Sequence, residues 1–116
     1  MPCDIVHFEI IGNDQKALES FYGDIFQWEI KPAMEGYSLV NPGHGIGGGI
    51  GSKGMFQHSV TFYVHVHDIA ATFAAVENKG GKRAFGPFPI PDGSQIAGFT
   101  DPEGNLIGLV QPAPGM

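Results

Sequence analysis

The sequence has a single cysteine, Cys3, so it can form no internal disulfide, and it offers no Cys-x-x-Cys pair for zinc or dithiol redox chemistry. Such usage suits a reducing compartment. Positive charge is also scarce: 6 Lys and Arg stand against 12 Asp and Glu, a formal net charge of -6. A surface of that sign repels a phosphate backbone, and nucleic acid is not an expected partner. Nothing in the chain approaches the roughly eighteen continuous apolar residues of a membrane span, and the start, MPCDIVHFEI, lacks the basic stretch and apolar core of a secretory signal. The expectation is a cytoplasmic protein with no membrane partner.

What is present fits one small folded domain over residues 1–116. The hydrophobic fraction is 42% and the charged fraction 16%, enough apolar material for a core at this length. The 18 glycines and 9 prolines follow no collagen period; they gather at 41–54, 80–93 and 101–108, as expected for short strands joined by tight turns.

Residues 3–11 alternate as a strand, with Val6, Phe8 and Ile10 on one side and Ile5, His7, Glu9 and Ile11 on the other. Asn13 or Asp14 caps a helix whose apolar stripe is Ala17, Leu18, Phe21 and Tyr22 and which Gly23 ends. Short strands follow at 26–30, where Pro32 opposes continuation, and at 36–40. The glycine-rich stretch 44–51 reads either as a strand closely approached by another backbone or by a ligand, or as a flexible lid. A second round repeats the plan: a strand at 59–66, Asp68 as cap, a helix with Ile69, Phe73 and Val76 inward and Gly80 at its end, then strands at 82–85, 95–100 and 106–110. Residues 86–93 read as a rigid proline-rich loop, and 52–58 as the junction between modules of about 1–53 and 57–112. Ile5-Val6-His7-Phe8-Glu9-Ile10 lies over Ser59-Val60-Thr61-Phe62-Tyr63-Val64. The predicted fold is α+β, with two tandem β-α-β-β-β modules forming a shared curved-sheet cavity.

Val6-His7-Phe8 on the first strand, Phe21-Tyr22 followed by Phe26 and Trp28, and the ending Phe99-Thr100-Asp101-Pro102-Glu103-Gly104-Asn105-Leu106-Ile107-Gly108-Leu109-Val110 together resemble the vicinal oxygen chelate superfamily of glyoxalases, bleomycin-resistance proteins and extradiol dioxygenases. In metal-dependent relatives the first strand of each module supplies His or Gln and the fourth supplies Glu. The resemblance places His7 at the first of these positions, Thr61 at its counterpart and Gly108 where the last glutamate belongs. His7, Thr61 and Gly108 do not make a full ligand set, so no metal or other cofactor is expected at the inherited site. A weak or rebuilt divalent-metal site would have to draw on His44 or His58.

Strand alternation turns His7 and Glu9 toward the cavity, where they form a candidate acid–base pair. Thr61, Tyr63, Trp28, Phe85 and Phe88 join His7 as candidate ligand contacts, while His65 and His67 read as the end of a strand in solvent. The glycine run lacks the lysine and hydroxyl residue of a P-loop, which excludes that nucleotide signature. The leading functional expectation is metal-independent binding of a small organic ligand in an apolar cavity, by a homodimer. A lyase, isomerase or dioxygenase-type enzyme and a protein-interaction module are the competing readings.

Overall fold

A computed structural model describes residues 2–52 and 59–114, and these described residues form eight strands and two helices, an α+β fold. Contacts divide it into two compact units, one spanning Val6–Phe62 and the other combining the residues up to Ile5 with those from Tyr63 onward. Each is built on one β-α-β-β-β module. The first module comprises β1 (Ile5–Gly12), α1 (Gln15–Phe26), β2 (Glu29–Met34), β3 (Tyr37–Asn41) and β4 (Gly48–Ser52), with the strands ordered β2-β3-β4-β1. β1 and β4 are parallel; the other pairings are antiparallel.

The second module repeats this arrangement with β5 (Ser59–His65), α2 (Ile69–Asn78), β6 (Lys82–Pro89), β7 (Gln95–Thr100) and β8 (Leu106–Gln111), ordered β5-β8-β7-β6. Again the outer pair β5 and β8 is parallel. Among the described residues no helix is long and apolar enough to cross a membrane.

Local chemistry explains the elements. The Asp14 carboxylate accepts the Ala17 N–H at 3.0 Å and Asp68 accepts that of Ala71 at 3.2 Å, satisfying amides that a helix start leaves unpaired. At the β7–β8 turn one Asp101 oxygen accepts the N–H groups of Glu103 and Asn105, both at 2.9 Å. The Asn105 side-chain amide donates to the other oxygen at 2.9 Å, and that bond first, with the backbone bonds, holds the Asp101 carboxyl below its usual range.

Period-two burial then builds a core on one face of each module. Ile10, Val40 and Ile50 pack with Phe8, Leu18, Tyr22, Trp28 and Ile30 beneath α1, and Val66, Ile69, Phe73, Ala97 and Leu109 pack beneath α2. The buried Ser38 hydroxyl on the α1 side donates to Glu19 Oε2 at 2.6 Å, while Gln15 Nε2 donates to the same oxygen at 2.8 Å. A polar group under the helix is thereby satisfied and ties α1 to β3.

Several sequence expectations need correction. Gly23 does not end α1; the helix runs to Phe26 and stops at Gln27, whose φ of 61° is left-handed and whose N–H reaches the Gly23 carbonyl. Gly23 instead lets the helix approach β2, since a Cβ there would already touch Ile30 at 3.4 Å. The second strand begins at Glu29 rather than Phe26 and passes through Pro32, because β2 has β3 as its one neighbour in the module and an edge strand tolerates a missing N–H. The register slips between Pro32 and Met34. Residues 86–89 are the continuation of β6, with shifts in pairing, and the turn comes after them. The glycine-rich stretch is a buried strand from Gly48. Residues 53–58, most of the expected junction, lie outside the described residues, as does His58.

Candidate functional site

The face of the first module opposite α1 is set by strand register. Glu9 pairs with Gly49, Gly49 with Leu39 and Leu39 with Lys31, so these positions share one face with His7, while Phe8, Ile10, Ile50 and Val40 point to the helix. β4 supplies only glycine to this face, leaving a trough between the side chains of β1 and β3.

Tyr37 fills one end of that trough. A Cβ built on Gly49 would lie 1.8 Å from Tyr37 Oη, and one on Gly51 would lie 2.9 Å from the same ring. The phenol oxygen ends 2.8 Å from His7 Nε2, a hydrogen bond across 30 residues of sequence. In the Nδ1–H tautomer the phenol donates to Nε2. Glu9 shares the face with His7, as alternation predicts, but the ring nitrogen Nε2 is engaged by Tyr37, which sequence reading did not single out.

Burial pushes the His7 pKa below its ordinary value of 6.5, because imidazolium loses hydration in this half-buried position. The imidazole is therefore neutral at neutral pH. Stability linked to His7 is fully present above pH 6.5 and is lost as pH falls through the folded-state value, since the unfolded chain binds the proton first. A urea-unfolding series should show stability declining below about pH 6.5 and levelling off once the folded histidine is protonated. His7→Gln should remove that component, and an NMR titration placing the wild-type ring at or above its ordinary value would contradict the assignment.

The other end of the trough is open. A groove of about 480 Å³ is lined there by Val6, His7, Leu39, Asn41, Lys31 and Glu29, with Pro32, Val40 and two glycines. Lys31 and Glu29 are both exposed and form an ion pair at 3.6 Å. A wider hollow of about 780 Å³ runs past the start of α1 to Ser59 and Val60, but the Asp14 carboxylate on its wall is already committed to capping the helix.

The second module has a corresponding face opposite α2. Phe85 pairs with Gly98, Gly98 with Gly108 and Gly108 with Tyr63, and bulky rings again cover the glycines. A Cβ on Gly98 would lie 2.1 Å from the Phe85 ring, and one on Gly108 would lie 2.4 Å from Tyr63. Phe88 stacks on Phe85 with centroids 6.3 Å apart. Of the candidate ligand contacts, Phe85 and Phe88 thus lie together, with Tyr63 over the neighbouring glycine.

Trp28 is elsewhere: it packs against Phe8 at 5.4 Å, Tyr22 at 5.9 Å and Phe26 at 5.1 Å on the helix side of the first module. It does not line the groove. Thr61 is buried, its hydroxyl 3.4 Å from the Phe62 carbonyl. His44 is exposed in a turn, and His65 and His67 form an edge-to-face pair at the end of β5.

A model of the Glyoxalase/Bleomycin resistance protein/Dioxygenase superfamily matches residues 4–109, nearly the whole chain. The chain belongs to this superfamily. Solved structures agree on the fold: a hypothetical protein of Bacillus halodurans C-125 superposes with TM-score 0.72 at 12% identity, covering 100% of this chain and 99% of that one. A superfamily member from Vibrio splendidus 12B01 gives 0.70 at 18% identity, with 95% and 99% covered. Methylmalonyl-CoA epimerase from Mycobacterium tuberculosis gives 0.66 at 17% identity, with 95% and 88% covered. At these identities the likeness establishes the fold alone. No curated protein matches the sequence.

Membership raises the question of a divalent metal. Overlaying the modules puts Glu9 on Tyr63, so Gly49, opposite Glu9, is the counterpart of Gly108, opposite Tyr63. The resemblance puts the glutamate of metal-dependent relatives at Gly108, whose counterpart is Gly49, and a tyrosine occupies the side-chain space at each. Among the described residues no three of His, Cys, Asp or Glu converge. The inherited donors, one imidazole already bonded to a phenol and a buried threonine, do not fit a divalent ion.

Proposed function

We propose that this superfamily member binds a small organic molecule without a divalent metal, using the groove beside His7. The observation that carries the reading is Tyr37: its hydroxyl stands where a side chain at position 49 would begin and is bonded to His7. His7 Nε2, taken up by the phenol, is not open to a metal ion, whereas a neutral imidazole and phenol at the end of an open apolar groove suit hydrogen-bonded ligand recognition. Val6, Leu39 and Pro32 supply apolar walls.

The test is metal content per chain and ligand-induced thermal shift on dialysed protein, with and without chelator. The expected result is far less than one metal per chain and ligand shifts that chelator leaves unchanged and His7→Gln abolishes. One tightly held transition metal per chain, released on replacing His7, would overturn the proposal.

Metal-free proton transfer is a second reading, favoured by the neutral state of His7, since an unprotonated imidazole can accept a proton from a bound carbon acid. Turnover lost in His7→Gln with binding retained would separate catalysis from binding.

A further inference from the structure

The charges around the groove constrain what it can hold. One carboxylate, Glu29, and one cation, Lys31, are among the residues lining the groove, and they pair with each other at 3.6 Å; Glu9 shares the face of His7 but does not line the groove. An anionic ligand would find Lys31 already paired with Glu29. A cationic ligand would find Glu29 already paired and a neutral imidazole at the inner end. Neither sign of charge has a prepared partner there.

A neutral polar group does. The His7–Tyr37 pair combines a phenol hydroxyl, which both donates and accepts, with an imidazole fixed at 2.8 Å from it. Gly47 leaves the adjoining floor open, because a Cβ on it would meet only the Val40 carbonyl, at 3.2 Å. Val6 and Leu39, 42% and 51% exposed, leave apolar surface for the rest of a ligand.

We infer that the groove takes an uncharged apolar molecule bearing one hydroxyl or amide group, which meets the His7–Tyr37 pair while its apolar body lies on Val6, Leu39 and Pro32. The inference rests on the proposal that this groove is the ligand site. His7, which lines the groove, is then the ligand contact, and Tyr37 is a positioning residue whose hydroxyl fixes the orientation of the His7 ring.

Four probes of similar size test it on the intact chain: benzyl alcohol, benzamide, benzoate and benzylammonium, with toluene as the apolar reference. Binding is read from the NMR shifts of the His7 ring and the Leu39 methyls. The alcohol and the amide should bind about tenfold more tightly than either ion and than toluene, the scale of one well-made hydrogen bond. Within the Tyr37→Phe variant the alcohol should lose its advantage over toluene.

Benzoate or benzylammonium binding as tightly as the alcohol, with the same ring and methyl shifts, would overturn the inference and leave the ligand site standing. Failure of every probe to move His7 or Leu39 would remove the site and the inference with it. The comparison among probes uses the wild-type protein, so it holds even where Tyr37→Phe folds poorly.

Discussion

Phe73→Ala is expected to destabilise the protein by about 3–5 kcal/mol, the cost of deleting a large ring from a core that collapses only partly around the space. Phe73 is 1% exposed and packs with Val66, Ile69, Ala97 and Leu109, tying α2 to β7 and β8. The Arg83 guanidinium lies 4.9 Å above the ring centre and also bonds Glu77, so truncation removes a cation–π contact as well as apolar burial. A small domain has only about 5–15 kcal/mol in total, so the loss is a large share of its stability.

Phe21→Ala is the matched control. Phe21 is 56% exposed on α1, and its truncation should shift stability by no more than about 0.5 kcal/mol. Urea unfolding followed by circular dichroism measures both. Equal midpoint shifts for the two variants would mean that the core under α2 does not carry the stability assigned to it.

Both helices and their caps were legible because their signals are local: an aspartate is followed within four residues by an apolar stripe, twice, at matching places. The closing strands were legible for the same reason, bounded as they are by the Asp101–Asn105 turn. Boundaries failed where packing overrode a local rule. Gly23 reads as a helix end until the strand packed beside it is known, and Pro32 reads as a strand end until β2 is known to lie at an edge.

The site was legible in part for a related reason. His7 follows from strand alternation and family resemblance, but its hydrogen-bond partner depends on the register of three strands, which no local pattern supplies. Tyr37 reaches His7 by crossing β4, and the signal for it was present without an address: a run of glycines that something approaches closely. Sequence reading named another backbone or a ligand as the approaching group, whereas the structure shows a side chain of the same module. Trp28 was named as a ligand contact for its residue type alone, and it lies on the α1 side with Ile30, two residues on, where it packs into the core.

Gly49→Ala should reveal whether Tyr37 and the glycine strand are a matched pair. The added Cβ would stand 1.8 Å from Tyr37 Oη and 2.1 Å from Cζ, so the phenol must move, and the buried β4 backbone has little room to give way in its place. Such overpacking is expected to cost about 1–3 kcal/mol. It should also break the 2.8 Å bond to His7 and, by admitting water, return the imidazole pKa toward 6.5. The decisive comparison is with the same change made in a Tyr37→Ala background. There the clash is gone, and alanine should match or improve on glycine in a strand by about 0.5–1 kcal/mol. Unfolding midpoints and the His7 titration of all four proteins complete the cycle. A penalty for Gly49→Ala that persists undiminished without Tyr37 would mean the glycine serves the backbone rather than the phenol, and the account of how the metal-ligand position was filled would fall with it.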